Sequence, residues 1–310
     1  MNFIFPDKSQ KMKRRSFIHH ASFTAGGLLL AQQNLIAAIF NQPAYKITML
    51  RNNVGVFTEK GGTIAFLLSK SGIVVVDSQF PEQSAHLIDE LKKQSSSPFY
   101  KLINTHHHGD HSAGNISFKG IVPHVLAHTN SKTNQENVAV KNKTEDKQLY
   151  PDQVYTDKWC EKIDKENICL DYFGPGHTNG DSLVHFEHAN IVHLGDLLFN
   201  RRYPFIDRSA GANIRNWITI MDKAQKKYDR KTIFVYGHAL DPLKITGDKE
   251  DLKLFGDFLQ KLLAFAESEF KAGKSKEEFI KNTAIPGNTT WSGEGIERGL
   301  QAAYEEVQSS

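Results

Sequence analysis

A mixed α/β domain is the fold class that this sequence predicts, and three observations carry it. Short runs rich in β-branched and aromatic residues recur from Tyr45 onward. Stretches with apolar residues at helical spacing lie among them. No linker and no short-period repeat divides the 310 residues, a length that supports one large core.

Taken in order, residues 46–50, Val54–Thr58 and 63–69 read as strands, with Gly61-Gly62 as the turn between the last two. Ile73-Val74-Val75-Val76 is a continuous apolar run ending in Asp77, the pattern of a buried strand. Pro81–Gln94 reads as a helix, because proline suits its first turn and Leu87, Ile88 and Leu91 share one side. Residues 101–104 form another strand, and a histidine cluster begins two residues later. A strand is expected at 123–127, followed by a polar helix with a mobile flank over 128–150. Further strands are expected at 168–173, 182–186 and 191–194. Ile214, Trp217, Ile218 and Met221 mark a helix over 212–228. A strand at 232–236 leads into Gly237-His238. Residues 251–272 form a long amphipathic helix whose apolar side, from Leu252 to Phe265, is core rather than a cofactor surface. A last helix starts near Ser292 within 290–307, and Trp217 and Trp291 read as packing residues.

The N-terminus has a different character. Lys13-Arg14-Arg15-Ser16-Phe17-Ile18 is a twin-arginine pattern, and a mildly apolar stretch from Ala21 to Ala31 follows it. A charged region before a short apolar one reads as an export signal. Gln32-Gln33-Asn34 breaks the apolar run, which is too short to span a bilayer. Residues 1–42 are therefore set apart as signal and linker, residues 43–310 as the functional domain, and the mature protein is expected in the periplasm or otherwise exported. The net charge of +3, with no strong basic run elsewhere, gives no reason to expect nucleic acid or an acidic partner. Cys160 and Cys169 lie outside any C-x-x-C motif. Two readings stand for them: buried thiols, or a disulfide if the protein is exported.

Four features carry chemistry, each just after an expected strand, where loops gather at one sheet edge. The densest is Thr105-His106-His107-His108-Gly109-Asp110-His111. In extended backbone, residues two apart point the same way, so His106 and His108 can face one metal ion. After a turn at Gly109, Asp110 and His111 can face a second. His107 has the opposite parity and is left out. Zinc favours imidazole nitrogen and carboxylate oxygen. The other three features are His177 within Gly174-Pro175-Gly176-His177-Thr178-Asn179-Gly180-Asp181, Asp196 after His193-Leu194-Gly195, and His238 after Tyr236-Gly237. Alone, each is ordinary: a turn histidine, a helix cap, a structural histidine. Together with the first, they make a metal-ligand set.

The order H-x-H-x-D-H, then His, Asp and His resembles the metallo-β-lactamase superfamily, over roughly residues 63–238. The resemblance implies a four-layer αββα sandwich with metals at one edge of two facing sheets. It implies that His106, His108 and His177 hold a first zinc ion, that Asp110, His111 and His238 hold a second, and that Asp196 bridges them. Asp77 would orient a ligand by hydrogen bond. The implied activity is hydrolysis of a small-molecule substrate by a hydroxide shared between two Zn2+, with Asp110 also orienting the nucleophile or shuttling its proton. Many β-lactamases carry Cys or Ser where this chain has Asp196, and an aspartate there resembles the glyoxalase II, lactonase and phosphodiesterase branches. The Gly-Pro-Gly-His-Thr loop and the export signal fit an enzyme that meets β-lactams outside the cytoplasm. A carbonyl-centred bond is expected, β-lactam or lactone foremost, with ester or thioester behind. The alternatives are a mononuclear iron enzyme resembling persulfide dioxygenases and a non-catalytic metal-binding protein. Asn200, Arg201, Arg202 and Tyr203 follow Asp196 and read equally as a grip for a polar head group or as a solvated loop.

Overall fold

The computed structural model describes residues Tyr45–Ser310. The twin-arginine segment and its apolar stretch lie outside them. The chain forms, in order, β1 (Lys46–Arg51), β2 (Val54–Thr58), β3 (Ile64–Ser69), β4 (Gly72–Val76), α1 (Pro81–Gln94), β5 (Phe99–Ile103), the single turn α2 (Gly109–Ser112), β6 (Val125–His128), α3 (Thr129–Asn142) and β7 (Gln153–Tyr155). Then come β8 (Lys158–Ile163), β9 (Glu166–Asp171), β10 (Leu183–Phe186), β11 (Ile191–His193), β12 (Phe199–Asn200), α4 (Ile214–Lys227), β13 (Ile233–Val235), β14 (His238–Ala239) and β15 (Thr246–Gly247). Three helices close the chain: α5 (Lys249–Lys271), α6 (Lys276–Phe279) and α7 (Ile296–Gln308).

Two sheets result. The first runs β1 to β7 in chain order, antiparallel to β4 and parallel from β4 to β7. The second has the order β15-β13-β11-β10-β9-β8. Alternation along the strands decides the layers. Val74, Val76 and Val54 of the first sheet pack with Leu170, Val184, Phe186 and Val235 of the second. The opposite face of the first sheet, with Ile73, Val75 and Phe66, packs on Leu87, Ile88 and Leu91 of α1. The outer face of the second sheet, with Val192 and Phe234, packs on Trp217 and Met221 of α4, on Phe255 and Leu259 of α5 and on Leu300 of α7. The expected four-layer αββα sandwich is the observed one. The apolar run of β4 is continuous because both of its faces are buried.

Several ends fall elsewhere than expected, each for a local reason. The α4 helix begins at Ile214 rather than 212, because the Asn213 side chain caps it by accepting from Asn216 N. The α5 helix begins two residues early, where Asp248 and Asp251 form a capping box. The α7 helix begins at Ile296, past the left-handed Gly295, rather than near Ser292. Strands β7 and β8 were not expected. Lys158–Ile163 is an edge strand that alternates exposed and half-buried residues, with Lys158, Glu161 and Lys162 among them, so it lacks the apolar run of its neighbours. Cys160 of β8 lies opposite Cys169 of β9, and the two form a disulfide. No helix among the described residues is long and apolar enough to cross a membrane.

Candidate metal centre

Strands β4, β5 and β6 run parallel, as do β9, β11 and β13 of the facing sheet, so their C-terminal ends lie along one edge of each sheet. The segments that leave them carry the chemistry: Asp77 after β4, the histidine cluster after β5, His177 after β9, Asp196 after β11 and, at the start of β14, His238 after β13. Backbone bonds tie the two sheets together here. Thr63 N donates to Gly237 O at 2.9 Å, and Ser182 N to Thr105 O at 2.8 Å. The His193 ring donates from Nε2 to Thr63 O, also at 2.9 Å.

All seven side chains singled out from the sequence converge, in two pockets. His106, His108, His177 and Asp196 bring one donor atom each within 4.8 Å of one another; Asp110, His111 and His238 do the same beside them. Asp196 faces both groups. Its Oδ2 lies 3.8 Å from His106 Nε2 and 3.5 Å from His177 Nε2. Its Oδ1 lies 3.0 Å from His111 Nε2 and 3.5 Å from His238 Nε2. Asp110 Oδ2 is 3.0 Å from His238 Nε2. His107 belongs to neither group.

Outward bonds fix the ring orientations. His177 Nδ1 donates to Phe205 O at 2.7 Å, and His108 Nε2 to Asp207 Oδ2 at 2.9 Å. Thr105 Oγ1 donates to Asp77 Oδ2, which leaves its lone pair to accept from His106 Nδ1. His111 Nδ1 donates to Asp77 Oδ2 at 2.8 Å. Asp77 therefore supports His111 directly and His106 through Thr105. It does so from a left-handed backbone, φ +67°, which a non-glycine residue adopts at a cost of about 1–3 kcal/mol. That conformation turns the carboxylate back to accept Thr105 N as well.

With each outer nitrogen carrying the proton, the inner lone pairs of the first pocket converge. His108 Nδ1 and His177 Nε2 stand 2.9 Å apart, two acceptors facing one another. His106 Nε2 is buried and makes no hydrogen bond. Buried acceptors without a donor cost about 1–3 kcal/mol each, and a cation is what satisfies several at once. Burial pushes His177 down to about 3 and His106 well below its ordinary range, so both rings are neutral and able to ligate. Burial opposes ionisation of Asp110, but His111 and His238 outweigh it and hold that carboxyl down to about 2. Burial also opposes charge on His111; Asp196, Asp110 and Asp77 together outweigh it and raise that ring. Three nitrogens with one carboxylate, and a mixed carboxylate–imidazole group beside them, are a donor set of the zinc type.

Two glycines are required by close approach. A Cβ on Gly62 would overlap the His111 ring, and one on Gly237 would overlap Asp196 Oδ1 and the Gly195 backbone. Beneath His177, Asp181 accepts from Thr178 N and Thr178 Oγ1 and fixes the loop. Its carboxyl is pushed up to about 7 by burial, which the two Thr178 bonds offset only in part.

A family model described as the metallo-beta-lactamase superfamily matches residues 58–238. The chain belongs to that superfamily. Its members are metal-dependent hydrolases, and this chain is a hydrolase with a His/Asp site of the same kind. Metallo-beta-lactamase IND-1 of Chryseobacterium indologenes is 28% identical over 190 residues, which cover 59% of this chain and 75% of that one. A metallo-beta-lactamase from Pontibacter korlensis superposes with a TM-score of 0.59 at 20% identity, covering 70% of this chain and 99% of that one. The stereoselective inverting sec-alkylsulfatase Pisa1 from Pseudomonas sp. superposes with a TM-score of 0.67 at 13% identity, covering 84% of this chain but 49% of its own. Both structures are alike in fold.

Asp207, Thr105 and Phe205 are the contributors that the sequence reading passed over. A lone aspartate in a loop about a hundred positions from its histidine carries no spacing signal. Asn200 and Arg201, weighed as a grip for substrate, are engaged within the protein. Asn200 Nδ2 donates to Lys244 O, while Arg201 pairs with Asp251 and lies over Trp291. Trp217 and Trp291 are buried and donate to Leu197 O and Phe199 O, as packing residues do.

Proposed function

We propose that this chain is an exported dinuclear zinc hydrolase that cleaves a carbonyl-centred bond, β-lactam or lactone foremost. One observation carries the reading: two donor groups share the two oxygens of Asp196, with inner lone pairs that outward bonds force to converge. His106, His108 and His177 would hold one ion, Asp110, His111 and His238 the other, and Asp196 both. Bound there, two zinc ions would supply Lewis acidity toward a scissile carbonyl and toward the attacking water. The chain does the rest. Asp110, ionised and 3.0 Å from His238 Nε2, orients the attacking water and takes its proton. Asp77, Asp207 and the Phe205 carbonyl hold the imidazoles in their ligating tautomers. The exposed Phe205 ring, 5.3 Å from that of His108, offers an apolar wall to the substrate.

The small-molecule substrate and the zinc content are tested together. Metal content measured on the purified protein should be about two zinc per chain. Turnover should then appear within a panel of β-lactams, lactones, thioesters, phosphodiesters and alkyl sulfates, and vanish on chelation. One iron per chain with persulfide oxidation would overturn the reading, and failure to bind metal would make the chain a non-catalytic member. Export rests on Arg14-Arg15, and the Cys160–Cys169 disulfide supports an oxidising compartment. Residues 1–42 fused to a folded reporter should carry it out of the cytoplasm, and a lysine pair in place of Arg14-Arg15 should stop it.

A further inference from the structure

His107 has no part in the reaction described above, yet it is unusually placed. It is 5% exposed, and its Nδ1 is buried without a hydrogen-bond partner. Its Nε2 has none within hydrogen-bond reach either; the nearest carboxylate oxygen is Asp207 Oδ2, at 3.9 Å. The unpartnered Nδ1 is costly to bury, while Nε2 keeps access to solvent and is free to take a ligand. Asp207 is shared, because the same Oδ2 accepts from His108 Nε2 at 2.9 Å. His107, His108 and Asp207 bring one donor atom each within 4.8 Å of one another. This group meets the His108 ring at Nε2, whereas the first pocket meets it at Nδ1.

We propose that His107, Asp207 and the outer face of His108 form a third divalent-cation site, of the zinc type. Zinc bonds imidazole nitrogen and carboxylate oxygen at about 2.0–2.2 Å each, which at a tetrahedral angle sets the two atoms about 3.4 Å apart, so a small closing of the 3.9 Å gap seats one ion. His107 Nε2 and Asp207 Oδ2 are its two standing ligands, and water completes the shell. His108 Nε2 becomes a third ligand only by releasing to water the proton it now shares with Asp207. Occupation has a consequence for the neighbouring pocket. An ion on Asp207 removes the acceptor that orients His108, so excess zinc weakens the pocket which His108 lines and inhibits the enzyme. This site rests on the ligand assignment of His108 proposed above only for that inhibition. Its own formation rests on His107 and Asp207.

The test is a zinc titration of the purified, chelator-stripped protein by calorimetry, repeated on His107→Asn and His107→Ala, with folding followed by circular dichroism. The wild type should take up a third equivalent, weaker than the first two, that both folded variants lose while keeping the tight ones. Absence of that third equivalent, or its persistence in both variants, would overturn the proposal. If the wild type holds fewer than two tight equivalents but keeps a His107-dependent one, the dinuclear reading falls and this site stands.

Discussion

The two pockets on either side of Asp196 are built differently. His106 and His177 are fully buried, and every histidine of the first pocket has its outer nitrogen bonded: His106 to Thr105, His108 to Asp207, His177 to the Phe205 carbonyl. In the second pocket only His111 is so supported, by Asp77. Asp110 is about a third exposed, and His238 is braced by stacking on Phe199 instead of by an outer hydrogen bond. The lesson is that one pocket is held in ligating form by the fold, while the other is left open to solvent and to its own charges. The first should load a metal more tightly, and the second should be where water and substrate enter.

Breaking the shared element tests the comparison hardest. Asp196→Ala should abolish turnover and leave neither pocket with full affinity, as metal analysis after dialysis would show. Retention of both ions would remove Asp196 from the bridge. Next in size is Asp110→Asn, which should keep the fold and the first-pocket ion and lose activity by about 10²–10⁴-fold, the usual range for a proton-handling group. Near-normal turnover with metal retained would sink its assignment. The contrast between pockets is sharpened by a pair of outer substitutions. Asp207→Asn should weaken the first-pocket ion and Asp77→Asn the second more than the first, each by about 10–100-fold. Competition with a chelator of known affinity reads both, and equal effects on the two ions would erase the distinction.

The smallest effects lie away from the pockets. Cys160→Ser opens a short loop and should cost about 2–3 kcal/mol of unfolding free energy without altering metal content. Asp181 predicts a pH dependence. Its folded pKa, about 7, stands above the ordinary 3.8. Its contribution is then fully present below the lower value and is lost as pH rises through the upper. Unfolding midpoints from pH 5 to 8 should therefore fall less steeply in Asp181→Asn than in the wild type, and parallel profiles would refute the buried, protonated carboxyl.

What the sequence made legible follows the same division. The first-sheet half of the site was plain, because His106, His108, Asp110 and His111 sit within six positions and directly after an apolar strand. The other half, His177, Asp196 and His238, is scattered over sixty positions, and only its order marked it. The layers were readable from two-faced burial, as in β4, whereas β8 was hidden because an exposed edge strand obeys no apolar pattern. Asp207 could not be seen at all. Its meaning comes from contact with His108, a tertiary fact with no local trace.

The inward-facing lone pairs of His108 and His177 bear on how the molecule folds. Residues from Asp77 to His238 must meet before the edge exists, so these contacts form late and at long range. What they then form, in the bare chain, is a knot of mutually repelling acceptors within an otherwise consistent core. That knot is local frustration of the kind that functional sites retain. Folding should thus run downhill to the sandwich, and metal should be gained afterwards by a nearly finished protein. The ion's binding energy then adds to global stability, so a chelator should lower the melting temperature even where no substrate is in reach.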